Sequence, residues 1–322
     1  MKRRLLLATA ATLFATPAFA QTKWDLPAAY PATNYHSVNL QKFADAVKAS
    51  SGGKLEIVVH PGASLFKAPE IKRAVMTGQA QMGEVLISLH ENEDPLFGAD
   101  VVPFLATSFP DAMKLYQASK PAIVKKLDAQ GLKLLFVVPW APQGVYVNKP
   151  LATIEDMKGL KWRAYNVGTA RIGELVGAQS VTIQAAELPQ ALATGVVNSF
   201  MSSGGTGYDA KAWESLKYFY DVQAWIPKDY TFVNKAAFEA LDKPTQEAVL
   251  KAAATAETRG WKAWQDKSTW YLDQLKAKGM TVEPPSPALK TGFQKIGEQL
   301  TGDWLKKAGP DGQALVDTYR KM

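Results

Sequence analysis

Arg163 is the residue best placed for chemistry. It falls in Lys161-Trp162-Arg163-Ala164, which reads as a short strand ending on a cation, while Ser202-Ser203-Gly204-Gly205 follows a second strand over Val196–Met201. Small ligands sit at the carboxyl ends of strands in sheets wrapped by helices, so both places are candidates for ligand contact. A planar guanidinium pairs bidentately with a carboxylate, which lysine cannot do. A solvated or structural cation fits the same position, and residue chemistry alone leaves both readings open. The dense acidic cluster His90-Glu91-Asn92-Glu93-Asp94 has one histidine among loop carboxylates and no fixed frame for a metal. It reads as a solvated loop or as a surface that touches a membrane partner. His36 and His60 lie in different elements and form no H-x-x-x-H pair.

Catalytic chemistry finds no foothold. There is no G-x-S-x-G elbow, and Gly204-Gly205-Thr206-Gly207 lacks the lysine and spacing of a phosphate loop. The chain has no cysteine, so thiol nucleophiles and cysteine zinc sites are excluded. Glu91 and Glu93 are near neighbours in a loop, with no sign of a pocket that would split their pKa values. The sequence calls for no cofactor and no metal.

The elements that must position Arg163 alternate in type. After a short helical entry at Ile154–Met157 and the Arg163 strand come a helix over Gly168–Val176, a strand over Ser180–Ile183, a helix over Glu187–Thr194 and the strand Val196–Met201. Upstream, a first strand at Lys23–Leu26, a helix over Tyr35–Ala49 with an apolar stripe, the strand Leu55–Val59 and a helix around Glu70–Val75 lead to a third strand after Thr77-Gly78. Helices at Pro110–Ser119 and Ala122–Gln130 precede the strand Lys133–Val138. Trp140–Gly144 reads as a crossover and Val145–Val147 as the start of a second lobe. Tyr218–Ala224 then reads as a strand, Trp225–Asp229 as a linker and Tyr230–Val233 as a strand returning to the first lobe. From Asp242, with Pro244 in the first turn, one helix can run to Lys278, interrupted only by Gly260. At 1.5 Å per residue it is about 50 Å long, more than one domain is wide. Its tryptophans, Trp261 and Trp264, read as core. Gly279 caps it, and two helices, about Ala288–Lys307 and Asp311–Arg320, close the chain.

Met1–Ala20 has a basic start, an apolar run from Leu5 to Phe14 and Ala18-Phe19-Ala20 before Gln21. That is the pattern of a secretory signal peptide cleaved after Ala20, which sends the chain to the periplasm. Without Lys2, Arg3 and Arg4 the balance falls from +7 to +4, and no Lys/Arg run is dense enough for a nucleic-acid track. About 300 residues bury a sizeable core without disulfides.

The pattern around Arg163 has a further meaning. Asp156, Lys158, Gly159, Leu160, Lys161 and Arg163, followed by Glu187, Ala191, Leu192, Thr194, Gly195, Val196 and Val197, match D-x-K-G-L-K-x-R and then E-x-x-x-A-L-x-T-G-V-V. In this the chain resembles the substrate-binding proteins of TRAP transporters, the tripartite periplasmic transport systems. Val101–Leu105 is similar to that family's apolar segment, whereas Gln81 stands where its third strand usually has an acid. The resemblance implies an α/β fold of the two-lobed periplasmic binding type, each lobe a mixed sheet flanked by helices with one long helix spanning both. The first lobe would cover 21–143, completed by 230–243, and the second 144–229. The long helix would cover 244–279 and the C-terminal helices 280–322.

The resemblance also implies that Arg163 takes a ligand carboxylate, that the chain acts as a monomer, and that a membrane permease receives the ligand. Departures from the family shape the ligand. Gln143 stands where sugar-acid binders often have a second arginine, Ala185 where a pocket phenylalanine is common, and Ser203 where an amide is frequent. The missing phenylalanine leaves room for an apolar or aromatic body against which Trp140, Tyr30 or Trp225 could pack. The expected ligand is therefore a monocarboxylate. A dicarboxylate with Lys67 taking the second charge is the rival. Two other classes remain, an exported enzyme acting on organic acids and an ABC-type or sensory binding protein. The long helix argues against the latter.

Overall fold

The computed structural model describes residues 21–322. The leader expected over residues 1–20 lies outside them. No helix among the described residues is long and apolar enough to cross a membrane.

The first lobe is built on β1 (Thr22–Pro27), β2 (Leu55–His60), β3 (Met82–Leu86), β4 (Leu132–Pro139) and the returning β10 (Lys228–Asn234). β1 and β2 pair in parallel, and β10 lies between β3 and β4, antiparallel to both. The two sheets adjoin where the Asp25 N–H donates to the Gln81 side chain at 3.0 Å. Helices α1 (Tyr35–Ser50), α2 (Ala68–Met76) and α3 (Phe109–Ala129) cover this lobe. The second lobe is one six-stranded sheet, in the order β11 (Thr281–Glu283), β9 (Tyr218–Tyr220), β5 (Gly144–Val147), β8 (Ser199–Ser202), β6 (Lys161–Ala164) and β7 (Gln179–Thr182). Around it lie α4 (Val167–Leu175), α5 (Leu188–Ala193) and α6 (Gly204–Asp209). The result is an α/β molecule of two lobes with mixed sheets.

After α7 (Lys235–Glu239), helix α8 (Lys243–Ala277) runs unbroken for 35 residues and belongs to both lobes. Against the first lobe, the Trp261 indole N–H donates to the Val137 carbonyl at 3.0 Å and Glu257 accepts the Val137 N–H at 2.9 Å. Against the second, Tyr271 packs over Gly204, and Leu275 joins the core beside Phe219. Gly260 has a reason to be in this helix. A Cβ there would meet Val138 at 2.5 Å, so the helix lies on β4 only because the side chain is absent.

Two segments differ from the expectation. Pro121 does not split two helices, because α3 runs through it with Pro110 in its first turn. A proline removes one backbone donor and need not end a helix that packs along its length. Val196 and Val197 do not begin a strand. Gly195 sits at φ 68°, the Val197 N–H returns to Ala191, and pairing starts only at Ser199. As expected, two helices close the chain: the segment α9 (Pro287–Arg320) is interrupted at Gly309, whose φ of 58° is not helical.

Candidate ligand-binding site

A cavity of about 460 Å³, measured out to its open mouth, lies between the lobes, and the strand ends converge on it. The first lobe contributes Tyr30, just beyond β1, Leu86 at the end of β3, and Trp140, just beyond β4. The second contributes Arg163 in β6, Tyr165, Gln184 and Ala185 beyond β7, and Ser202 at the end of β8. Gln143, on the crossover between lobes, completes the wall.

Arg163 is 2% exposed. Its Nε–H donates to the Ile183 carbonyl at 2.7 Å, and its guanidinium lies 5.1 Å over the Tyr165 ring. Among the described residues no carboxylate comes within 4.0 Å of it, and no protein hydrogen bond engages its terminal nitrogens. Burial pulls its pKa down to about 10, against the opposing pull of Tyr165 and Tyr30, so it stays a cation at any ordinary pH. Desolvating a charge costs several kcal/mol even after relaxation. An unpaired arginine on a cavity wall is thus a preformed counter-charge for an anion.

The other candidate residues fall at different depths. Tyr30 and Trp140 meet edge to face at 4.7 Å on the first-lobe wall, and Ala185 opens space opposite them. Gln143 lines the cavity with its amide N–H committed to the Ala141 carbonyl at 2.8 Å. Trp225 is buried, and its indole N–H donates to the Tyr165 hydroxyl at 3.1 Å, so it meets the site through the ring beneath Arg163. Ser203 is spent on local structure, since its hydroxyl accepts the Thr206 N–H at 3.1 Å and caps α6, while Ser202 and Thr206 face the cavity. Lys67 lies at the mouth, where its exposed ammonium is 3.7 Å from Glu187 of the opposite lobe.

The acidic loop is better ordered than a solvated one. Lys72 and His90 both bond Glu93, Lys126 lies 2.5 Å from Asp94, and burial raises Glu91 to about 7.

Sequence reasoning missed a polar cluster directly behind the first-lobe wall. His36 of α1, Glu84 of β3 and Asp229 of β10 are all buried, and their ligand atoms lie within 4.8 Å of one another. Asp229 accepts the Tyr30 hydroxyl at 3.2 Å through Oδ1 and the Trp140 indole N–H at 3.1 Å through Oδ2. His36 Nδ1 is 3.1 Å from Asp229 Oδ2 and 3.4 Å from Glu84 Oε1, but neither ring nitrogen meets a partner in hydrogen-bond geometry. The His36 ring packs against Trp140 and Trp264, at 4.4 and 5.4 Å. Burial drives all three toward their neutral forms, with Glu84 raised to about 8, Asp229 raised and His36 lowered. The only signals in the sequence are an acid inside each of two apolar strands, Met82–Leu86 and Lys228–Asn234.

Comparison with known proteins places this architecture. The profile of the bacterial extracellular solute-binding proteins, family 7, matches residues 28–307. The chain belongs to that family. Its members here are solute receptors and not enzymes. An extracytoplasmic solute receptor of Bordetella pertussis, solved binding pyroglutamic acid, is 56% identical with a TM-score of 0.92, over 94% of this chain and 100% of that one. A TRAP solute-binding protein from a marine metagenome, solved with co-purified pyroglutamate, is 47% identical with a TM-score of 0.93, over 94% of this chain and 100% of that one. The 2,3-diketo-L-gulonate-binding periplasmic protein of Escherichia coli is 24% identical over 88% of this chain and 87% of its own. This family 7 chain is therefore a TRAP solute-binding protein.

Proposed function

We propose that this receptor captures pyroglutamate, or a cyclic monocarboxylate close to it, through a salt bridge from Arg163, and delivers it to the membrane permease of a TRAP transporter. The reading includes export by the leader over residues 1–20 with cleavage after Ala20. One observation carries it. Arg163 is a buried cation on the cavity wall with no protein carboxylate within 4.0 Å. The ligands of the two solved receptors at 56% and 47% identity support the ligand class.

Charge-assisted hydrogen bonds contribute about 1.5–3 kcal/mol each, so a bidentate pair supplies about half of the roughly 8 kcal/mol behind micromolar affinity. Enclosure between the Tyr30 and Trp140 wall and the opposite lobe supplies apolar burial for the remainder. Ligand binding would favour the closed arrangement of the lobes, which the permease then receives.

The test is titration of the protein from Gln21 onward with pyroglutamate, succinate and a hexuronate, read by calorimetry and by the fluorescence of its nine tryptophans. Pyroglutamate is expected to saturate one site, and Arg163→Ala to weaken it by about a hundredfold, roughly 3 kcal/mol. Tight binding that survives the substitution would remove Arg163 as the anchor. Preference for succinate or the hexuronate would reassign the ligand, and consumption of any acid would make the chain an enzyme.

A further inference from the structure

The buried cluster behind the cavity has a role that the capture of a carboxylate does not require. Tyr30 and Trp140 form the first-lobe wall, and the polar hydrogen of each ends on Asp229. The indole N–H of Trp140 occupies Asp229 Oδ2, and no other protein donor reaches Oδ1. With Asp229 ionised, or protonated on Oδ2, Oδ1 is an acceptor and the Tyr30 hydroxyl donates to it at 3.2 Å. What that hydroxyl has left to offer a ligand is lone pairs only. A water-excluded hydroxyl locked as an acceptor favours a ligand that donates and leaves an unpaired group against one that does not.

We propose that Asp229 is a positioning residue for ligand selection, which by holding the Tyr30 hydroxyl proton and the Trp140 indole proton fixes both rings and makes Tyr30 an acceptor for a ring N–H donor beside the ligand carboxylate. The inference rests on the reading of the ligand as a cyclic monocarboxylate and narrows it to the lactam class. Glu84 and His36 support Asp229 from behind, and no other titratable side chain is needed for the argument.

The discriminating pair of ligands is pyroglutamate and the carbocyclic oxo-acid in which a ring methylene replaces the N–H. The wild type is expected to prefer the lactam by about tenfold or more, since a site built to bond an N–H rejects the analogue lacking it. Asp229→Asn keeps an oxygen for the Trp140 N–H and turns an amide N–H toward the Tyr30 hydroxyl. That frees the hydroxyl proton to face the ligand, so the preference is expected to fall to about twofold or less. Tyr30→Phe removes the acceptor and is expected to abolish the preference by an independent route, which covers the case in which Asp229→Asn does not fold. Loss of affinity for both ligands with the ratio kept would mean that Asp229 only supports the fold and would overturn the proposal, as would a ratio retained in Tyr30→Phe. Failure of the wild type to bind either ligand would instead overturn the ligand reading itself.

Discussion

The two walls of the cleft bury charge-capable groups in opposite ways. On the second lobe, Arg163 has lost its water and faces the cavity without a protein counter-ion. On the first lobe, Asp229, Glu84 and His36 are equally dry, but they face one another and receive the two ring donors. A buried ion without a partner lowers stability, so it persists where something outside the chain supplies the opposite charge. The Asp229 carboxylate at the front of this cluster is taken up by the two ring donors, so it holds the wall in place and offers no charge to a ligand. On the function proposed above, capture and shaping fall to different lobes, and the ligand would join them.

The largest effect that would break this contrast is the loss of the ligand response expected from Arg163→Met, which keeps the side-chain length and removes the charge. The ligand-free protein should melt about 2 °C or more above the wild type, because the desolvated cation is gone. The rise in Tm that the ligand gives the wild type should disappear. A lower melting temperature with the ligand response intact would erase the distinction between the walls.

On the other wall, Glu84→Gln sharpens it. Burial holds Glu84 at about 8 against an ordinary 4.5. Below pH 4.5 both folded and unfolded states keep the proton and the group costs little. As pH rises toward 8 the unfolded chain ionises first and stability is lost. The variant should therefore match the wild type near pH 4.5 and melt about 3 °C or more above it near pH 8, read by thermal denaturation across that range. A difference that does not grow with pH would show Glu84 to be ionised in the fold. The smallest effect belongs to Lys67→Ala at the mouth, where both partners are exposed. Ligand binding should weaken by about threefold or less, and the difference should vanish in about 0.5 M salt. A tenfold loss that persists in salt would place Lys67 on the ligand.

Much of this was legible before any coordinate. The alternation of strand and helix, the long helix and the placement of Arg163 at a strand end follow from local period and from the spacing of Lys158, Gly159, Lys161 and Arg163. Trp140 and Tyr30 could be assigned to the cavity because each sits just past a strand, and Ala185 through the resemblance. Ser203 and Lys67 show the limit of loop position as a guide, since a cap bond and a pairing across the cleft decide where those side chains point. The polar cluster could not be read at all. His36, Glu84 and Asp229 come from three elements far apart in the sequence, brought together only by the insertion of β10 between β3 and β4 and by the seat of α1. Pro121 and Val196 misled for the opposite reason, because a strong local preference was overruled by the packing of α3 and by the turn after Gly195.

The helix α8 gives the cleft a mechanical property. Pinned to β4 through Glu257 and Trp261 and to the second lobe through Tyr271 and Leu275, it is a single rod clamped at two places. A rod clamped in this way resists stretching and twisting far more than gentle curvature, which α-helices accommodate by small changes in many hydrogen bonds. Sliding one lobe past the other would tear the Trp261 N–H from Val137, whereas opening the cavity only flexes the span between the clamps. Bending of α8 is thus the motion that would leave both of its attachments intact.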